Sequence, residues 1–412
     1  MKRVLLALTL PIYIYAQNLG VLIKSAHSTN YMLLSSKYNI QSKAKELDSQ
    51  KSSYYPTIDV GAAYLSFDKV SPFQAGNTLN IYVKARVDIF DGFRKSSQVE
   101  QKESAYKASE YDLIYVQRTL TLDIIQDFYN TKSAEASLEA LREKSTQLQA
   151  DIKKIKKFKD AGLAPQDFVD KLQSAYDANN YALESLKLNI KTLKSYLSLK
   201  TGVDIDILED ATLKTPKNLQ YKPSEAIKSM QEKAKSIEAA AKAVNAAYYP
   251  NVQLENSYGF YDYSRDDSLK KMGIEQVDKQ NKIALMANMR LFDKGSIKKQ
   301  KQALILQKKA LEEQINFQTK QEEIRHKLSL DRLKTAQLNI KSTLSAKHAS
   351  QSVYKSIKAK FDAGIVDQVT YLDALSTQTA SLALYKKAQY DYEIAKATYY
   401  FTSNKNIEDY IK

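Results

Sequence analysis

Phe158 to Phe168 reads FKDAGLAPQDF, and Phe361 to Tyr371 reads FDAGIVDQVTY. Each is an aromatic, a short polar step, Ala-Gly, an aliphatic residue and a fresh polar start. Glycine in that place supplies the left-handed backbone that ends a helix. Long helical patterns flank both turns. Leu138, Leu141, Ser145, Leu148, Ile152 and Ile155 step by three and four towards the first. Val169, Leu172, Tyr176, Asn179, Leu183, Leu186, Ile190, Leu193 and Leu197 do the same away from it. That is a heptad seam on both arms of one hairpin. The second hairpin is less regular, with Leu333, Ile340 and Leu344 leading in and Leu375, Leu382, Tyr385 and Tyr392 leading out.

The turn is one of three markers that recur in order. SSYYPTIDV (Ser52–Val60) is matched by AAYYPNVQL (Ala246–Leu254), and VDIFDGFRK (Val87–Lys95) by MRLFDKGSIKK (Met289–Lys299). From Phe90 to Ala161 is 71 residues, and so is the step from Phe292 to Ala363. From Pro56 to Phe90 is 34 residues, whereas from Pro250 to Phe292 is 42. A loop tolerates added length; two rods that lie side by side and end at a common level do not. The chain is two copies of one unit.

Working back from the long helices, Leu79 to Phe90 alternates apolar and polar, with Leu79, Ile81, Val83, Ala85, Val87 and Ile89 on one side. The second copy repeats this with Ile283, Leu285, Ala287, Met289 and Leu291. Period two predicts strands with one apolar face. Thr57 to Asp68 and Asn251 to Tyr263 are their expected partners. A tilted strand crosses a bilayer in about 9 to 11 residues, and aromatics such as Tyr54, Tyr55, Phe90, Tyr261, Tyr263 and Phe292 gather at the strand ends. That is the pattern of a membrane barrel; a soluble sheet packed on helices is the competing reading. A barrel needs about 8 strands or more, and open edges in lipid are not viable, so the missing strands must come from further copies of the chain.

Composition narrows the function. In 412 residues there are only 10 Gly and 7 Pro, which favours few, long elements. Cys is absent, which excludes disulfides, a thiolate metal site and a Cys nucleophile. His27, His326 and His348 are isolated and are expected at surfaces or interfaces. No catalytic constellation, phosphate loop or metal cluster stands out, so neither enzyme activity nor a cofactor is expected. MKRVLLALTLPIYIYAQ has the basic start and short apolar run of a secretory signal peptide, with Ala16 as its last residue. The net charge of +15, or +13 without Lys2 and Arg3, invites a nucleic-acid reading. Export and the interleaving of Lys with Glu, Asp and Gln argue against it. Helices of roughly 65 residues from about Arg94 and about Ser296 would each reach close to 100 Å, and segments such as REKSTQLQADIKKIKKFK are too charged to cross lipid.

These features together resemble the TolC-like outer membrane factors of Gram-negative bacteria over nearly the whole mature chain. Gly162-Leu163-Ala164 is similar to the family's Val-Gly-Leu tip, with Ala161 in place of the Val. Gly364, Val369, Leu372, Asp373 and Ala374 resemble its gating hairpin. The resemblance implies a homotrimer with a 12-stranded barrel in the outer membrane and a helical tunnel in the periplasm. It implies an exit duct for a tripartite efflux or type I secretion system, docked through a periplasmic adaptor to an inner-membrane pump. The tips Gly162, Leu163 and Ala164, and Gly364, Ile365 and Val366, would meet the adaptor. Asp373 matches the second of two acidic residues lining the constriction; Thr370 stands at the first, and Val366 where the family can carry an arginine. Three converging carboxylates would raise one another's pKa and attract cations.

The fold expected is mostly α with a small β part, in two repeats of strand, strand, long helix and helix. The layout is a signal peptide over 1–16, a helical segment over 17–53, a barrel hairpin over 54–93 and a helical hairpin over 94–200. A linker over 201–223 and a helix over 224–248 lead to the second barrel hairpin at 249–293, the second helical hairpin at 294–400 and a tail at 401–412. The rival of another class is an exported coiled-coil scaffold or adhesin without a pore.

Overall fold

The computed structural model describes residues 17–69, 75–264, 267–273 and 275–412. The signal-peptide expectation lies outside the described residues. The chain is mostly helical: α1 (Leu19–Thr29), α2 (Tyr31–Ser52), α3 (Arg94–Asp160), α4 (Gln166–Thr201), α5 (Glu225–Asn245), the short α6 (Asp267–Lys271), α7 (Ser296–Asp362) and α8 (Gln368–Thr402). Four strands, β1 (Thr57–Ser66), β2 (Asn77–Phe90), β3 (Asn251–Ser264) and β4 (Lys279–Asn288), form one antiparallel sheet in chain order. Among the described residues, no helix is long and apolar enough to cross a membrane.

The segment over 17–53 holds two helices, α1 and α2. The Asn30 side chain accepts from Met32 N at 2.9 Å and Leu33 N at 3.3 Å, capping α2, and donates to the Lys200 carbonyl at 2.9 Å. Its backbone is extended, so the helix must restart there.

The chain divides into two compact units. One holds the described residues up to Ser36 with Leu113–Glu225 and Gln318–Lys412. Its main core joins Leu19, Leu22 and Ile23 to Ile124, Ile125, Phe128 and Tyr129, with Leu197, Ala397 and Tyr400. The irregular segment after α4 is pinned into this core through buried Leu208, Ala211 and Leu213. Gln17 bridges to Leu208, and Leu213 to Ile411, so both ends of the described chain fasten to that segment. Lys396 is buried but satisfied, donating to the Leu213 carbonyl at 2.5 Å and to Glu393 at 2.7 Å. His326, expected at a surface or an interface, is also buried, where α7 packs on α8. Its ring stacks on Tyr399 and its Nε2 lies 3.1 Å from the Leu219 carbonyl.

The other unit holds Lys37–Asp112 and Ala226–Phe317, including the sheet. One sheet face carries Ile58, Val60, Tyr64, Leu79, Ile81, Val83, Ile283 and Leu285, all exposed, with Val60 at 74%. The other face carries Lys84, Arg86 and Glu255, the last bonded to Arg86 at 3.2 Å and 3.6 Å from Lys84. On this polar face Tyr82 lies flat on its partner Gly61, where a Cβ would meet the ring at 2.6 Å.

β4 ends three residues before the alternation does. The expected run to Leu291 stops at Asn288, which pairs with Asn251. The next partner would be Pro250, which has no N–H to give. β2 reaches Phe90 because it has β3 on its second side, where Phe90 pairs with Val252; β4 is an edge.

Candidate functional site at the two hairpin turns

Both turns belong to the first unit. α3 ends when the Leu163 N–H bonds the Phe158 carbonyl at 2.8 Å and the Gly162 N–H bonds Lys159 at 2.9 Å. α7 ends in the same way, with Ile365 bonding Lys360 at 2.8 Å and Gly364 bonding Phe361 at 3.0 Å. This is a Schellman closure, which needs left-handed backbone at the residue after the helix. Gly162 and Gly364 supply it at φ 72° and 74°. Leu163 and Ile365 follow and stand in solvent, 77% and 72% exposed. Ala164 and Val366 lie lower, partly covered.

Beneath the turns the two hairpins share one apolar cluster. Leu148, Ile152 and Ile155 of α3 and Val169 and Leu172 of α4 pack with Tyr371 and Leu375 of α8, flanked by Tyr354, Ile357 and Phe361 of α7. The heptad seam of the first hairpin therefore closes on the second as well as on itself. Tyr371 is fully buried, stacked on Phe361 with ring centroids 4.5 Å apart. Its hydroxyl donates to the Asp151 carboxylate of α3. Gln147 donates to both oxygens of Asp151 at 2.9 and 3.0 Å, and Lys358 of α7 lies 3.8 Å away. Burial and the adjacent carboxylate hold the Tyr371 phenol protonated, far above its ordinary range.

Three further bonds join the hairpins. Lys154 meets Asp362 at 2.8 Å. Lys144, its pKa pushed down by burial, donates to Ser376 at 2.8 Å. Gln368 donates to the Phe168 carbonyl at 2.6 Å. Asp367 caps α8, accepting from the Thr370 N–H at 2.7 Å, and that backbone bond holds its carboxyl below the ordinary value.

Thr370 and Asp373 both lie exposed on the first turns of α8, one helical step apart. They do not join the shared cluster, and neither do Gly162, Leu163, Gly364 and Ile365. Sequence reasoning missed Asp151 and Tyr371. The available signal was a tyrosine in heptad phase with Leu375, and an aspartate beside Ile152 in an otherwise apolar seam.

Residues 22–202 match the sequence profile described as outer membrane efflux protein. No curated protein sequence gives a significant match. Solved structures match the fold nearly end to end. The CmeC outer membrane channel of Campylobacter jejuni is 17% identical, with a TM-score of 0.82 over 94% of this chain and 85% of its own. The outer membrane protein VceC of Vibrio cholerae is 13% identical, with a TM-score of 0.79 over 94% and 96%. The open state of the MtrE outer membrane channel of Neisseria gonorrhoeae is 14% identical, at 0.75 over 94% and 89%. The sequence through the first hairpin thus resembles the outer membrane efflux proteins, and the fold along both hairpins is that of these outer membrane channels.

Proposed function

We propose that three copies of this chain close a 12-stranded barrel in the outer membrane of a Gram-negative bacterium. The helical part then stands in the periplasm, and the whole is a passive exit duct. The observation that carries this reading is the sheet. It has four strands of 10 to 14 residues, one apolar face in the open, and, among the described residues, both edges unpaired. A scaffold or adhesin has no need of such strands. Membrane strands with free edges are viable only once a ring closes.

The helical turns supply the docking surface. Leu163 and Ile365 expose aliphatic side chains beside lysines, a surface suited to a periplasmic adaptor that couples the duct to an inner-membrane pump. The pump supplies the energy. Tripartite efflux and type I secretion would both use such a duct. Asp373 and Thr370, exposed on α8, are placed here at the narrowest ring on the trimer axis. Widening that ring requires the second hairpin to leave the first, so Tyr371–Asp151, Lys154–Asp362 and Gln368–Phe168 act as its ties.

Conductance of the purified protein in a planar bilayer tests this. Stable pores are expected, with Asp373→Ala lowering cation preference. Pores indifferent to the substitution place the constriction elsewhere. Folded, helical protein that never conducts would refute the duct.

A further inference from the structure

The two edges of the sheet are not equivalent, and the internal repeat says how they fit. Within the chain, β2 already pairs with β3, the first strand of the second repeat. The two hairpins share one register. Thr57, one residue after Pro56, pairs with Arg86, and Asn251, one residue after Pro250, pairs with Asn288. The Phe that recurs in each repeat, Phe90 or Phe292, lies four residues beyond. β4 is thus to its repeat what β2 is to its own, but it lacks a strand on its far side. β1 stands to β3 in the same relation, with its own far side open.

We infer that β4 of one copy pairs with β1 of the next in the register that β2 and β3 adopt within the chain, setting Arg290 of one copy opposite Asp59 of the next. The inference rests on the ring-closed reading above and adds its register. Asp88, two residues before Phe90, pairs with Gln253, three after Pro250, and their side chains bond at 3.1 Å. The equivalents are Arg290, two before Phe292, and Asp59, three after Pro56. Polar partners on the inner seam become an ion pair on the outer one. Both Arg290 and Asp59 are exposed, and among the described residues neither has an ion-pair partner; Lys84, directly opposite Asp59, sits beside Glu255 instead.

The residues just beyond β4 fit the same register. Met289, Leu291 and Phe292 are 55%, 85% and 79% exposed and unpaired, whereas their counterparts Val87 and Phe90 pair with Leu254 and Val252. Carried across, Met289 meets Val60 and Phe292 meets Ile58 of the next copy. Both of those are themselves exposed apolar residues on the open edge, at 74% and 73%. A β4-to-β1 contact is head-to-tail, so it excludes a two-fold pair and gives a ring once the rotation between copies closes.

The same mapping takes Val83↔Tyr258 to Leu285 opposite Tyr64 of the next copy. The chain has no Cys, so paired cysteines report register without background. Leu285→Cys is combined in turn with Tyr64→Cys, Ala62→Cys and Ser66→Cys in the full-length protein, and each is oxidised and run on denaturing gels. Residues 62, 64 and 66 share a face, and a two-residue slip moves the Cα atoms beyond the about 7 Å that a disulfide can bridge. A link inside one copy is excluded, because β1 and β4 are three strands apart at about 4.8 Å each. Only the Tyr64→Cys pair should give thiol-reversible multimers. Linking through 62 or 66, or no linking in protein that still runs as a trimer, overturns the register and leaves the ring. Protein that stays monomeric overturns both. Charge exchange gives a second, independent measurement. Asp59→Arg and Arg290→Asp should each lower trimer yield several-fold, and the double variant should recover it; a double variant no better than either single one counts against the pair.

Discussion

Phe158–Val169 and Lys360–Tyr371 fold into the same turn, position for position, yet the helices that leave them have different attachments. In the first, Pro165 occupies the cap position and makes no side-chain bond. Gln166 bonds only Asp170, one helical step on, and Val169 fills the seam of its own hairpin and the cluster beneath it. In the second, Asp367 caps the helix, Gln368 reaches the Phe168 carbonyl, and Tyr371 reaches Asp151. Local rules fix the backbone of both. What separates them is that the second turn holds on to the first. The first hairpin is a frame, and the second is the part whose position is set by breakable polar bonds.

The sharpest way to break that contrast is at Tyr371. Tyr371→Ala removes a fully buried ring and one donor to a buried carboxylate, a loss of about 3–5 kcal/mol. Tyr371→Phe keeps the ring and removes only the hydroxyl, a loss of about 1–3 kcal/mol; Gln147 and Lys358 still attend Asp151. Hydrogen exchange of amides in the first turns of α8 should quicken strongly in the first variant and moderately in the second. Exchange around Gln166–Val169 should change less in both. Equal acceleration in the two turns would mean that they open as one body, and the frame reading would fall.

What the sequence discloses of this site follows the range of the forces involved. The glycines and heptads are legible because a helix stop and a 3.5-residue repeat are local patterns. The period-two strands are legible for the same reason. The end of β4 is not, because it depends on Pro250 across the hairpin and on the absence of a second neighbour. Asn30 reads as an ordinary polar residue inside a helix until Met32 and Leu33 N–H groups are seen to use it. His326 looks isolated, and only the packing of α7 on α8 brings Tyr399 to its ring. Asp151 and Tyr371 lie 220 residues apart, so their bond leaves no mark that spacing can show.

A smaller effect tests the part the turns share. Gly162→Ala and Gly364→Ala each force an L side chain into left-handed backbone, at about 1–2 kcal/mol. An added Cβ would meet nothing within 4 Å at either site, so strain is the whole of the cost and the two losses should match. Differential scanning of the paired variants checks this, and unequal losses would show that one turn carries tertiary strain the other lacks.

The smallest effect is at the cap that only the second turn has. Asp367→Ala should roughly double exchange at Val369 and Thr370, since a capping oxygen is lost from an exposed helix end. Protonation should imitate the mutation. The Thr370 N–H holds the Asp367 carboxyl below its ordinary 3.8. A group depressed in the folded state stabilises it above the ordinary value, and that contribution is lost as pH falls through the lower, folded one. Lowering pH through this window should therefore loosen the start of α8 in the native protein and leave Asp367→Ala unmoved there. The first turn, with Pro165 in the cap position, should show no such step. If acid loosened both turns alike, the cap would not be what distinguishes them, and the ties through Gln368 and Tyr371 would have to carry the whole difference.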